Sequence, residues 1–219
     1  MGSLMDMTVR DFNNILASSA PAPGGGSTAA LAGVLGSALT MMVVNLTVGK
    51  KSYQALDETI KQKIIMDFET IKILNKELTE LVDEDTKAFN LVMEAMKLPK
   101  ETEEDRIRRT DRIQKASLYA LKVPLMVAEK CLLLLQHQIN IALYGNINAV
   151  SDIGVGAVMA FSGLEGAVLN VKINIPAISD QSIKMDAINK TRNYLTEGGQ
   201  IKTEIVATVN NRIGKLGLP

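Results

Sequence analysis

Residues 27–48 contain no charged side chain, and residues 150–171 contain only Asp152 and Glu165. Both stretches are crowded with small residues, among them Ala29, Ala30, Gly33, Gly36 and Ser37 in the first. A helix that is apolar on every side has to be surrounded, either by other helices or by lipid. Small side chains let neighbours come close from all directions, which suits both settings. The expectation is a soluble bundle with these two helices at its centre and no membrane.

The remaining segments read as amphipathic helices able to do the surrounding. Ile64, Phe68, Ile71, Leu74, Leu78 and Leu81 recur at spacings of three and four, a pattern that continues to Met96 and predicts one long helix over 57–96. Leu98-Pro99 ends it. Thr102 with Asp105 predicts a capped start for the next helix, and Pro124 inside that helix predicts a kink or a split. Thr8 predicts a short first helix to about residue 19, and Ser27 the cap of the uncharged helix. A last amphipathic helix is expected over 180–213, disturbed at Gly198-Gly199. Aromatic residues make up 4% of the 219 and tryptophan is absent, while Leu, Met, Ala, Lys and Glu dominate, a composition of helix formers.

The expected fold class is therefore all-α, a single-domain bundle of long helices. Residues 1–4 read as a cloning remnant and 5–219 as the domain. Two uncharged helices and the apolar run 132–135 exceed what one domain of this size hides, which predicts a homodimer.

Charge and side-chain counts exclude several function classes. Lys plus Arg equals Asp plus Glu at 24 each, which argues against nucleic-acid binding and against a polybasic membrane surface. One cysteine rules out an internal disulfide or a Cys-based zinc site, and one histidine a site with several His ligands. Cys131 and His137 read as structural. No secretory signal is apparent, and a cytoplasmic location is expected.

Four features point to chemistry. Projected at 100° per residue, Asp85 falls in the middle of the stripe formed by Leu74, Leu78, Leu81, Phe89 and Val92, whereas Asp83 points away. A carboxylate on a core-facing stripe is either a paired structural group or an acid–base catalyst whose pKa burial has raised. Gly24-Gly25-Gly26-Ser27 opens a helix, as a plain N-cap or as a place where backbone N–H groups approach a ligand. Asn146, Asn148, Asp152, Asn170 and Asn174 gather polar groups between apolar helices; they either cap helix ends or hydrogen-bond a heterocycle. Lys50 and Lys51 end the uncharged helix, complementing its dipole or clamping a substrate carboxylate.

These residues also carry a resemblance. Ser19-Ala20-Pro21-Ala22-Pro23-Gly24-Gly25-Gly26-Ser27 resembles the opening signature of the cyclodeaminase/cyclohydrolase family of folate enzymes. Matches follow in order at Asn45-Leu46-Thr47 with Gly49-Lys50-Lys51, at Asp83-Glu84-Asp85 with Ala88-Phe89, and at Lys97-Leu98-Pro99-Lys100. They continue at Pro124, at Gly145-Asn146 with Ser151-Asp152, and at Asn170-Val171 with Ile173-Asn174. The resemblance implies an all-helical homodimer that takes a tetrahydrofolate derivative as substrate and needs no metal or other cofactor. It implies Asp85 as the principal catalytic group, with Asp152 as a second carboxylate, and the glycine turn, Lys50, Lys51 and the asparagines as substrate-binding residues. Two reactions are implied, hydrolysis of 5,10-methenyltetrahydrofolate to 10-formyltetrahydrofolate, or release of ammonia from the formimidoyl compound. The chain lacks a formiminotransferase domain, which favours the hydrolase. A non-catalytic helical or membrane protein is the remote alternative.

Overall fold

Glycines on both sides of one contact let the two nearly uncharged helices meet backbone to backbone. In the computed structural model, which describes residues 2–215 and 217, these are α2 (Gly25–Thr47) and α6 (Val150–Asn174). A Cβ on Gly36 would come within 2.7 Å of the Gly156 carbonyl oxygen, and one on Gly163 within 2.8 Å of that of Ala29. Residue 36 thus meets 156 while residue 29 meets 163, so the helices run antiparallel.

Around this pair pack α4 (Glu58–Met96), α5 (Glu103–Tyr144) and α7 (Gln181–Gly214). Two short helices, α1 (Val9–Leu16) and α3 (Lys51–Gln54), flank α2. No strand occurs among the described residues. The expected caps of α1 and α5 are formed: Thr8 accepts from the Asp11 N–H, and Thr102 and Asp105 close a reciprocal capping box. Ser27 is not the cap of α2. The helix starts earlier, at Gly25, and Ser27 lies inside its first turn with its side chain free for another partner.

Pro124 neither splits nor ends α5, which runs unbroken for 42 residues. Proline lacks the N–H that would bond to the carbonyl four residues back, here that of Ala120. Asn174 supplies the missing donor, its Nδ2 lying 2.8 Å from the Ala120 oxygen. Gly198 likewise does not disturb α7. A Cβ there would press within 2.8 Å of Leu164, so glycine serves helix packing.

The run 132–135 belongs to the interior of its own chain: Leu132, Leu134 and Leu135 are buried and Leu133 half-buried. It therefore contributes nothing to a subunit interface. Cys131 is buried in the same core, and burial pushes its thiol up to about 12. His137 is a tie between helices, with Nδ1 2.8 Å from Asp67, which also accepts from Asn140. Ser3 and Leu4, within the stretch read as a remnant, are seated on α4, where Asp83 accepts from the Ser3 hydroxyl and the Leu4 N–H.

By length and composition two helical segments suffice to cross a membrane, Gly25–Thr47 and Ile147–Ala177, and half of each is covered by the bundle. The uncovered half carries Leu35, Met42 and Leu46 on α2 and Val155, Val158 and Leu169 on α6.

The backbone contact predicts opposite effects for two glycine substitutions. Gly36→Ala should destabilise the fold by about 1–3 kcal/mol through overpacking. Gly214→Ala, where nothing lies within 4 Å, should be neutral or stabilising by up to about 1 kcal/mol. Urea unfolding of the two variants checks both signs.

Candidate active site

The first turn of α2 lies against the C-terminal third of α4, and Asp85 is the point of contact. A Cβ at position 26 would coincide with the Asp85 carboxyl group, so only glycine admits the acid there. The Ser27 N–H donates to Asp85 Oδ2 at 3.0 Å and its hydroxyl lies 3.3 Å from the same oxygen. The Ser27 hydroxyl is also 3.3 Å from that of Thr86. Burial raises the Asp85 pKa, and the two Ser27 hydrogen bonds oppose the rise without cancelling it. A carboxyl group so placed exchanges a proton more readily near neutral pH than an exposed one.

The neighbouring acids have other tasks. Successive side chains on a helix point about 100° apart. Asp83 accordingly holds the N-terminal segment, while Glu84 accepts from the Tyr119 hydroxyl of α5 and pairs with Lys87. The Lys87 hydrogen bond lowers the Glu84 pKa, aided by Tyr119, whose own hydroxyl the Glu84 bond pushes up to about 12.

Asp85 opens onto a cleft of about 380 Å³ lined by Gly24, Gly25 and Gly26 of the turn, Phe89, Val92 and Met96 of α4, Ala120 of α5, and Asn170 and Asn174 of α6. Both asparagine orientations follow from their partners. A backbone carbonyl only accepts, so each amide NH₂ must face it: Asn170 donates to Gly166 and Asn174 to Ala120, both at 2.8 Å. Their Oδ1 atoms are left as acceptors. With Asp85 they give the cleft an acceptor-rich, net negative character suited to a ligand with N–H donors or positive charge. A second hollow between α4 and α5, beside Arg108, Arg112 and Lys115, does not contain Asp85.

Seven of the residues expected at the site are brought together here: Asp85, Gly24, Gly25, Gly26, Ser27, Asn170 and Asn174. The remaining five are not. Lys50 and Lys51 follow the C-terminus of α2, about 35 Å away at 1.5 Å per helical residue. Asn146 is fastened to that same end, its N–H on Thr47 Oγ1 and its side chain on the Leu46 carbonyl, and it caps the turn containing Asn148. Asp152 sits in the first turn of α6 at that end. Helices of this length separate the two groups within one chain. Phe89, Val92 and Met96 read as core in the sequence, and their periodicity alone does not distinguish a cleft wall from an interior face.

The geometry around Asn174 and Asp85 yields two predictions. Asn174→Ala should cost about 1 kcal/mol in the native chain. The cost should be smaller in a Pro124→Ala background, where the backbone N–H restored at position 124 takes over the Ala120 carbonyl. A double-mutant unfolding cycle measures that coupling. Because the Asp85 pKa is raised on folding, its contribution to stability is complete below the unfolded-state pKa and is lost as pH rises through the folded one. Asp85→Asn should therefore gain stability relative to wild type as pH is raised from about 4 to 8, as followed by thermal unfolding.

Comparison with known proteins places relatives beside this geometry. Residues 8–193 match the family described as formiminotransferase-cyclodeaminase. A methenyltetrahydrofolate cyclohydrolase of Methylorubrum extorquens is 37% identical over 94% of this chain and 97% of its own length. The formimidoyltransferase-cyclodeaminase of Mus musculus is 36% identical over 89% of this chain, which spans only 35% of that longer protein. The crystal structure of a formiminotetrahydrofolate cyclodeaminase from Thermotoga maritima shares the fold, with a TM-score of 0.83 at 24% identity, covering 96% of this chain and 99% of that one.

Proposed function

The chain belongs to the formiminotransferase-cyclodeaminase family, and from that premise we propose that it hydrolyses 5,10-methenyltetrahydrofolate to 10-formyltetrahydrofolate. The observation that carries the reading is Asp85, a half-buried carboxyl group held by Ser27 at the wall of an acceptor-rich cleft. A relative of that name, matched over 97% of its length, supports the hydrolase over the deaminase.

The substrate's methenyl carbon bridges two nitrogens and shares a positive charge with them. An ionised Asp85 attracts that charge in a poorly solvated cleft. Acting as a base, it takes a proton from water as the water oxygen bonds to the methenyl carbon, giving a neutral carbinol. The protonated Asp85 then gives this proton to the pterin-side nitrogen as that nitrogen takes the electron pair of its breaking bond to carbon. The carbinol hydroxyl releases its proton to solvent and becomes the formyl oxygen. One water is consumed, one proton is released, and Asp85 returns to its ionised form. The Asn170 and Asn174 oxygens are suited to accept from the pterin amino and amide N–H groups.

The deaminase alternative passes through a related intermediate with an amino group in place of the hydroxyl, and the same carboxyl group would serve it. In either case the uncovered halves of α2 and α6 are read as the face of a soluble, cytoplasmic homodimer rather than as a lipid surface.

Spectrophotometric turnover of the methenyl and formimidoyl substrates, side by side, tests the assignment. Faster conversion of the methenyl compound is expected, and ammonia release as the dominant activity would replace the reading with the deaminase. Asp85→Asn should lower turnover roughly a hundredfold or more with the fold intact. In wild type the acid limb of the rate profile should begin at higher pH than an exposed aspartate would give, because protonation removes the base.

A further inference from the structure

A second hollow, of about 370 Å³, opens on a different face of α4 from the cleft, lined by Asp83, Thr86, Lys87 and Asn90 together with the N-terminal residues seated there. It shares no lining residue with the cleft that holds Asp85. Ser27 is fully buried and lines neither. Its hydroxyl lies 3.3 Å from Asp85 Oδ2 and also 3.3 Å from Thr86 Oγ1. One buried hydroxyl thus joins the acid of the cleft to the wall of the second hollow.

Thr86 departs from the habit of its helix. Thr70 and Thr79 turn their hydroxyls back onto the carbonyls of Met66 and Asn75, four residues earlier, the ordinary local option for threonine in a helix. Thr86 makes no such bond among the described residues, and its hydroxyl faces Ser27 instead. In the hollow beside it, Lys87 and Asn90 are exposed, a polar lining that gives water several partners.

The hydrolysis releases one proton per turnover, and a folate occupying the cleft stands between Asp85 and the solvent on that side. The apolar cleft wall of Phe89, Val92 and Met96 cannot carry a proton. A hydroxyl can, because it donates one proton while accepting another. With Asp85 ionised, Ser27 donates to it and Thr86 donates to Ser27. With Asp85 protonated, the same three groups can donate in the opposite order, ending at water.

We infer that Asp85, Ser27 and Thr86 form a proton relay from the cleft to the second hollow, with Thr86 as the positioning residue at its outer end. The relay rests on the hydrolase reading above, since the proton is the one that reaction releases. Once Asp85 has protonated the pterin-side nitrogen, its carboxylate takes the carbinol hydroxyl proton as the formyl C=O forms. Asp85 passes a proton to Ser27 Oγ, Ser27 passes its own to Thr86 Oγ1, and Thr86 passes its own to a water molecule in the hollow. Asp85 is left ionised and the water as hydronium, and rotation of the two hydroxyls restores the starting order.

Thr86→Val keeps the side-chain shape and removes the hydroxyl, and Thr86→Ser keeps the hydroxyl. The valine variant should lower kcat for the methenyl substrate about tenfold, leave KM unchanged and raise the solvent deuterium isotope effect on kcat. The serine variant should restore both kcat and the isotope effect. Ser27→Ala breaks the chain at its buried step while the N–H of residue 27 still holds Asp85. Combined with Thr86→Val it should cost no more than the worse single variant, because both interrupt one path.

Wild-type kcat and isotope effect in the valine variant overturn the relay. So do losses that multiply in the double variant. A displaced acid limb of the rate profile with an unchanged plateau also overturns it, since Thr86 then only braces Ser27 against Asp85. In all three cases an active wild type keeps the hydrolase reading. Dominant ammonia release overturns that reading instead, and the same variants scored on deaminase turnover then decide the relay. A wild type inactive on both folates overturns the two together.

Discussion

The close approach of α2 and α6 is the constraint on which the rest depends. Gly36 against Gly156, and Gly163 against Ala29, remove the side chains that would hold the two backbones apart. Their antiparallel contact sets the start of α2 beside the end of α6. It thereby brings a glycine turn and two asparagines to one end of the bundle. The longer amphipathic helices then close around the pair, and α4 delivers its carboxylate to the opening that remains.

At that opening, each polar group is held by a bond that also fixes what it offers. Ser27 restrains Asp85 without lowering its pKa to the range of an exposed acid, because burial outweighs two hydrogen bonds. Asn170 and Asn174 turn their donors to backbone carbonyls and their acceptors outward. The second of these carbonyls is free because Pro124 cannot use it, so a proline in one helix sets the orientation of an amide in another. Asp85 and both asparagines are each bonded to the protein's own backbone, which is the kind of fixed polar framework that preorganised electrostatic stabilisation requires.

Much of this was legible in the residues. Helix periodicity located α4 to within a residue and put Asp85 on its inward stripe, because a 3.6-residue repeat leaves one side chain in four facing the core. The uncharged stretches identified the central pair for the same reason. Spacing could not say that Ser27 faces Asp85 rather than capping α2, since a cap one turn earlier satisfies the same local pattern. Nor could it say that Lys50 and Asp152 lie a helix length from Asp85. Proximity in a bundle depends on how helices fold back, and the antiparallel course of α2 and α6 is decided by packing. Pro124 misled because the donor that rescues its helix lies fifty residues away.

Three adjacent acids on α4 have three unrelated duties: Asp83 anchors the N-terminal segment, Glu84 braces α5 through Tyr119, and Asp85 serves the cleft. They are kept apart only by the angular step of the helix. A single inserted or deleted residue upstream in α4 would turn all three by that step and disconnect them at once, along with the apolar stripe behind them. This helix can therefore diverge by substitution but not by change of length, and length variation among relatives belongs in the connections at either end of it.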